Sequence, residues 1–106
     1  MGLNVIQTKP LQSEAVPDNS TVGTADATVF TLAAGEVGFI QNLDDAALHV
    51  KLGTGCTPSD FHYVLKAGSA AADGLGGFLD VNDYAGPVSV AAAAGTASYM
   101  AWKRVL

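Results

Sequence analysis

The sequence predicts an all-β fold, a small antiparallel β-sandwich or jelly-roll-like barrel of about seven or eight short strands. Three observations predict it. Apolar and polar residues alternate in residues 47–53 and again in 61–66, the period-two pattern of a half-buried strand. Gly, Pro, Asn and Asp punctuate the apolar runs at roughly 8–12-residue intervals, as they do in sandwiches and barrels. No apolar stripe of helical period persists for about three turns anywhere in the chain.

Residues 1–26 read as an extended N-terminal arm and residues 27–106 as the sandwich domain. The stretch 9–26 is rich in Pro, Ser, Thr, Asp and Asn and poor in large apolar side chains, which suits a long loop. From Ala27 the texture changes. Thr28-Val29-Phe30-Thr31-Leu32 is β-branched and aromatic, Ala33-Ala34-Gly35-Glu36 makes a turn, and 37–43 is the next strand, closed by the turn pair Asp44-Asp45. In 47–53, Leu48, Val50 and Leu52 are expected to face inward and His49 and Lys51 outward. Residues 53–60 form a loop by composition. In 61–66, Phe61, Tyr63 and Leu65 are expected inward, His62 and Lys66 outward. A small, polar loop (67–74) leads to a short strand at 76–81, a turn at 82–87, a strand at 88–92, a tight turn at 93–95 and a final strand at 96–106. Most aromatic side chains are expected in the core between the sheets. Trp102 suits equally a core position and an interface anchor.

At 106 residues the chain has room for one domain. Its net charge of -5 argues against nucleic acid or an anionic membrane as partner, since both need clustered Lys and Arg. Here Lys9, Lys51 and Lys66 are scattered and only Lys103-Arg104 are adjacent. Charged residues make up 14%, against a typical value of about 25%. So low a charge implies surface covered by copies or partners. Cys56 is the single cysteine, which excludes an intramolecular disulfide and fits synthesis in a cytoplasm. The first seven residues lack a basic stretch followed by an apolar run, so no signal peptide is expected. No apolar run approaches the roughly 20 residues of a membrane helix. Gly2 follows Met1, but Ile6 stands where a myristoylation signal has Ser or Thr.

Candidate chemistry is sparse. His49 and His62 lack a His, Cys or carboxylate at metal-ligand spacing and read as surface or interface residues. At a subunit interface they would make assembly sensitive to pH. Cys56 with His62 is the one conceivable nucleophile–base pair, and no third group or local signature accompanies it. Asp44-Asp45 and Asp80, Asn82 and Asp83 carry oxygen donors, but turn chemistry accounts for both groups. Gly74-Leu75-Gly76-Gly77 has no following Lys-Ser/Thr or helix to make a phosphate cradle, and reads as a connection or bulge. No catalytic residue, metal ligand or cofactor is therefore expected, and the chain is not expected to be an enzyme.

Leu32-Ala33-Ala34-Gly35-Glu36, Phe39-Ile40-Gln41-Asn42-Leu43 and the run 48–55 together resemble small virion proteins of tailed bacteriophages and prophages. So do 61–68, Asp73-Gly74, Gly76-Gly77-Phe78, 86–90 and Tyr99-Met100-Ala101-Trp102. The resemblance covers about residues 30–104 and brings no catalytic residue with it. It implies a structural subunit made in the host cytoplasm and carried on the particle surface, most simply a capsid decoration (cement) protein. Its partners would be copies of itself, a trimer suiting threefold capsid positions, and the major capsid protein or another virion protein. Interface residues are expected at Leu3, Val5 and Ile6 of the arm and at His49, Lys51, His62 and Trp102. The alternatives are a head-to-tail, tail or fibre-base component, and a carbohydrate- or receptor-binding module using Tyr84 with Asp83 or Tyr63 with Asp60.

Overall fold

The structure, a computed structural model, describes residues 18–68 and 76–105. Leu3, Val5, Ile6 and the rest of residues 1–17 lie outside the described residues. Eight strands follow one another: β1 (Asp18–Val22), β2 (Ala27–Leu32), β3 (Glu36–Asn42), β4 (Leu48–Leu52), β5 (Tyr63–Leu65), β6 (Phe78–Val81), β7 (Gly86–Ala92) and β8 (Ala97–Val105). They form two four-stranded sheets, ordered β1-β8-β3-β6 and β2-β7-β4-β5. The antiparallel pairs β1 with β8, β2 with β7, β3 with β6 and β4 with β5 are nested in sequence. The chain is thus one long hairpin rolled up, the winding of a jelly roll. The pairs β3 with β8 and β4 with β7 join the nested ribbons within each sheet. The all-β sandwich expected from the sequence is the fold.

Its boundary differs from the expected one. Strand β1 falls within the residues read as arm, with Asp18 opposite Ala101 and Val22 opposite Ala97. The segment Asp-Asn-Ser-Thr-Val has one large apolar side chain and no alternation to betray it. As an edge strand it is held by the backbone ladder of β8 and by one core side chain, Val22.

The tight turns lie where turn residues predict them. Between β2 and β3, Glu36 N–H donates to the Ala33 carbonyl at 3.0 Å, and Gly35 takes the left-handed φ of 85° that the turn needs. The side chain of Glu36 reaches back to accept from Ala33 N–H at 2.8 Å.

The core is aliphatic. Ile40, Leu48, Val50, Val88 and Val90 are wholly buried, and Ala92, Ala97 and Ala101 fill the narrower places. Each fully buried large aliphatic contributes about 1.5–3 kcal/mol. Phe30 lies across Gly38 of β3, where a Cβ would overlap its ring, so one glycine makes room for one aromatic between the sheets.

The expectation that most aromatics fill the core is corrected. Of the eight, Tyr99 alone is fully buried, and Phe30 and Tyr84 are half-buried against the core. Tyr63 pairs with Val50 and so shares its inner face, but β5 is an edge strand and leaves it 42% exposed. Phe61, expected inward, lies outside the second sheet and stacks on His49. With alanine and valine holding the sheets close, the interior has little room for rings.

Asn42 pins one end of the sandwich. It is wholly buried, and its Nδ2 donates to the carbonyls of Ala46 (2.8 Å), Leu65 (3.1 Å) and Lys66 (3.2 Å). Its Oδ1 accepts from Asp44 N–H at 3.0 Å. Gly76 and Gly77 press against the backbone of Asn42, Leu65 and Lys66, leaving no space for a Cβ. The glycine pair serves this close backbone approach.

Candidate interaction surface

The period of two that builds the first sheet also builds its outer face. In β3, Gly38, Ile40 and Asn42 are buried between the sheets, which sends Phe39 and Gln41 outward. In β8, Tyr99 and Ala101 point inward, Met100, Trp102 and Arg104 outward. In β6, Val81 is inward, Phe78 and Asp80 outward. Register then sets Phe39 beside Trp102 and Gln41 beside both Met100 and Phe78.

The result is an aromatic row across three strands. Phe78 stacks on Phe39 with ring centroids 5.7 Å apart, and Phe39 on Trp102 at 5.3 Å. The Arg104 guanidinium lies 5.8 Å from the Trp102 ring, within the range of a cation–π contact. Phe78 is 61% exposed. An apolar row of this kind on an outer face suits contact with another surface.

The outer face of the second sheet is closed by its own chain. The loop between β4 and β5 folds back over it. Cys56 is wholly buried there; its N–H donates to Ser89 Oγ at 3.3 Å and its Sγ to the His49 carbonyl at 3.4 Å. Ser89 Oγ in turn donates to the Gly53 carbonyl at 2.7 Å. Burial first, and then the nearby Asp60 carboxylate, push the Cys56 thiol up to about 11, so it stays protonated at neutral pH.

Among the described residues, Trp102 stands apart from the other three sequence-predicted interface residues. Trp102 is in the aromatic row. His49, Lys51 and His62 belong to the second sheet and its loop. His49 points outward as expected but is only 9% exposed, because Phe61 stacks over it at 4.3 Å. Its Nδ1 has no hydrogen-bond partner among the described residues. His62 Nδ1 accepts from Leu52 N–H at 3.0 Å, while Cys56 Sγ is directed at a carbonyl. Nucleophile and base are thus each committed to the backbone. Lys51 is paired with Asp60 at 2.8 Å.

Tyr84 Oη donates to the Pro87 carbonyl at 2.7 Å. Beside it, a shallow groove of about 290 Å³ is bordered by Glu36, Asn82 and Asp83. Glu36 is engaged by Ala33 N–H and, at 3.3 Å, by Lys103, and these partners, the backbone bond foremost, lower its pKa. Among the described residues no group of three or more His, Cys, Asp or Glu is placed to hold a metal ion, and no helix is long and apolar enough to cross a membrane.

Sequence reasoning missed Phe39 and Phe78. A signal for them exists: Phe39 is two residues from Gln41, Phe78 two from Asp80 and Trp102 two from Arg104. In a strand, residues two apart share a face, so each polar partner marks its aromatic as outward. No family model, curated protein or solved structure matches the chain.

Proposed function

We propose that this chain is a non-enzymatic structural subunit of a tailed-bacteriophage or prophage particle, binding the capsid exterior as a decoration protein. The observation that carries the reading is the aromatic row Phe78–Phe39–Trp102, left on an outer face by a subunit that closes its opposite face with its own loop. Two sequence features support it: the low charge, which lowers the cost of desolvating a flat contact, and the resemblance over about residues 30–104. In this reading the row seats on the major capsid protein or a neighbouring virion protein, and copies of the chain associate at a symmetric position, a trimer matching a capsid threefold. It is made in the host cytoplasm and resides on the virion.

The test is to purify the particles and locate the protein by mass spectrometry and cryo-EM. The expected result is one oligomer at each equivalent position of the capsid exterior, with the face of β6, β3 and β8 against the shell. Absence from the particle overturns the reading; a single ring at one vertex replaces it with a head-to-tail or fibre-base role. The aromatic row also favours a second reading, a glycan-binding module, because sugar rings stack on exposed aromatics. Binding on a glycan array that is lost in Phe78→Ser would select it.

A further inference from the structure

We propose that the loop from Gly53 to His62 is a pH-operated latch: it closes over the second sheet while His49 and His62 are neutral, and opens when they take up protons. The inference is independent of what the first sheet binds.

His62 holds the loop through a bond that a proton breaks. Strand β5 begins at Tyr63, and the backbone pairing ends with His62 N–H donating to the Val50 carbonyl at 2.8 Å. Leu52 N–H, two residues along β4 from Val50, faces the same side. It meets a ring instead of a carbonyl, and donates to His62 Nδ1 at 3.0 Å. A ring nitrogen accepts only through its lone pair. A proton on Nδ1 would set two N–H groups against each other.

His49 meets the same requirement by burial. It points outward from β4, yet is 9% exposed beneath Phe61, whose ring stacks on it at 4.3 Å. Its Nδ1 is buried with no hydrogen-bond partner among the described residues. In the neutral ring Nδ1 can be a bare acceptor, with the proton on Nε2. In the charged ring both nitrogens are donors. Protonation therefore puts a charge and an unpaired donor under the loop, a costlier state than a bare acceptor. Lifting Phe61 lets water reach the ring.

The groups around these rings are apolar or already engaged. Register sets Ala91 of β7 and Val64 of β5 beside His49. Cys56 Sγ is directed at the His49 carbonyl. Lys51, two residues along β4, pairs with Asp60 of the loop at 2.8 Å. Asp26, just before β2, accepts from Gly55 N–H at 3.2 Å, and Lys66 beyond Val64 is exposed. Imidazole is the side chain that ordinarily changes charge between pH 5 and 8. The open loop accepts two protons that the closed loop resists, so acid draws the equilibrium towards the open form.

Cys56 is wholly buried under the loop, so its accessibility reads the latch. In the full-length wild-type chain, its rate with a dipyridyl disulfide is divided at each pH by that of the urea-unfolded chain. The ratio removes the titration of the thiol itself. It is expected to rise about tenfold or more from pH 7.5 to pH 5.5, with far-UV circular dichroism and Trp102 fluorescence unchanged. A flat ratio overturns the proposal, and so does a rise that comes with unfolding of the first sheet.

His49→Phe keeps a ring for Phe61 to stack on, and His62→Asn keeps an acceptor oxygen for Leu52 N–H; neither replacement titrates. The double variant is expected to keep Cys56 protected at pH 5.5. A rise equal to the wild type's would assign the switch to other groups and overturn the proposal. Amide exchange in the wild-type chain checks the same point without substitution. Corrected for intrinsic rates, Leu52 and Cys56 N–H are expected to lose protection about tenfold or more over this range, while the amides of β3 and β8 keep theirs. Equal protection of Leu52 and Cys56 at the two pH values overturns the latch.

Discussion

The two outer faces of the sandwich solve one problem in opposite ways. On the second sheet, Ser89 and Ala91 are wholly buried and His49 nearly so, because the loop from Gly53 to His62 lies over them. On the first sheet, Phe78, Phe39 and Trp102 form a stacked row that leaves Phe78 61% exposed. A serine is buried and a phenylalanine exposed on faces that alternate in the same way. Residue polarity sets which way a strand side chain points; what happens to it outside the sheet is set by the loop that follows. Small residues in β7 let a loop approach closely enough to hydrogen-bond, while large rings on β3, β6 and β8 hold neighbouring chain away.

The comparison breaks most visibly at Ser89. Its hydroxyl links Cys56 N–H to the Gly53 carbonyl in a fully buried position. Ser89→Ala removes only the hydroxyl and leaves a donor and an acceptor without partners, at a cost of about 2–4 kcal/mol in urea denaturation. The loop should loosen with it, so Cys56 should react with a thiol reagent at pH 8 in the variant far faster than in the wild type. A cost below about 1 kcal/mol together with an unreactive thiol would show that the loop is held by something other than Ser89.

Legibility of the sequence followed the same divide. Strands β2 to β8 could be read because each carries apolar runs and is flanked by Gly, Asp, Asn or Pro. Strand β1 could not, because Asp18–Val22 is made a strand by Ala97–Ala101 of a partner far away in the chain. The inward direction of Leu48 and Val50 was visible in the alternation, and so was the outward direction of His49. The burial of His49 was not, since it depends on the path of a loop whose Gly-Thr-Pro composition encodes no alternation. Extending the period of β5 back past Tyr63, where the strand begins, puts Phe61 on the wrong face. The alternation alone leaves Trp102 two possibilities, core or interface. Its polar neighbour Arg104 distinguishes them, as Gln41 does for Phe39 and Asp80 for Phe78.

On the open face the same kind of change should cost little. Phe78→Ser removes one stacked pair and an exposed ring, and is expected to lower stability by about 0.5–1 kcal/mol. Apolar-dye binding to the free subunit should fall at the same time. A loss as large as that of Ser89→Ala would mean that the row belongs to the core, and the contrast between the two faces would fail.

A smaller effect is expected at the rim of the closed face. Lys51 and Asp60 meet at 2.8 Å with side chains 22% and 59% exposed, so solvent screens most of their attraction. A double-mutant cycle with Lys51→Met and Asp60→Asn is expected to give a coupling of about 0.5 kcal/mol or less, fading in 1 M salt. A coupling above about 1.5 kcal/mol that survives salt would make the ion pair, rather than the buried Ser89 and Cys56 contacts, the main fastener of the loop.

The smallest effect is a pH dependence at Asp44, in the connection from the first sheet to the second. Its carboxylate accepts from Asp45 N–H at 2.7 Å and Ser98 N–H at 3.0 Å. These bonds, the Asp45 bond foremost, lower its pKa below the ordinary 3.8. The unfolded chain then takes up this proton before the folded one does. The contribution to stability is complete above the unfolded value and is lost as pH falls through the lower, folded value. Asp44→Asn is expected to melt slightly below wild type at pH 6, since an amide can supply only one acceptor oxygen to the two N–H groups. That difference should shrink as the wild-type carboxylate protonates below about pH 4. Glu36, also lowered, titrates in both proteins and so cancels in the comparison. A melting difference that stays constant from pH 6 to pH 2 would mean that Asp44 acts through shape rather than charge.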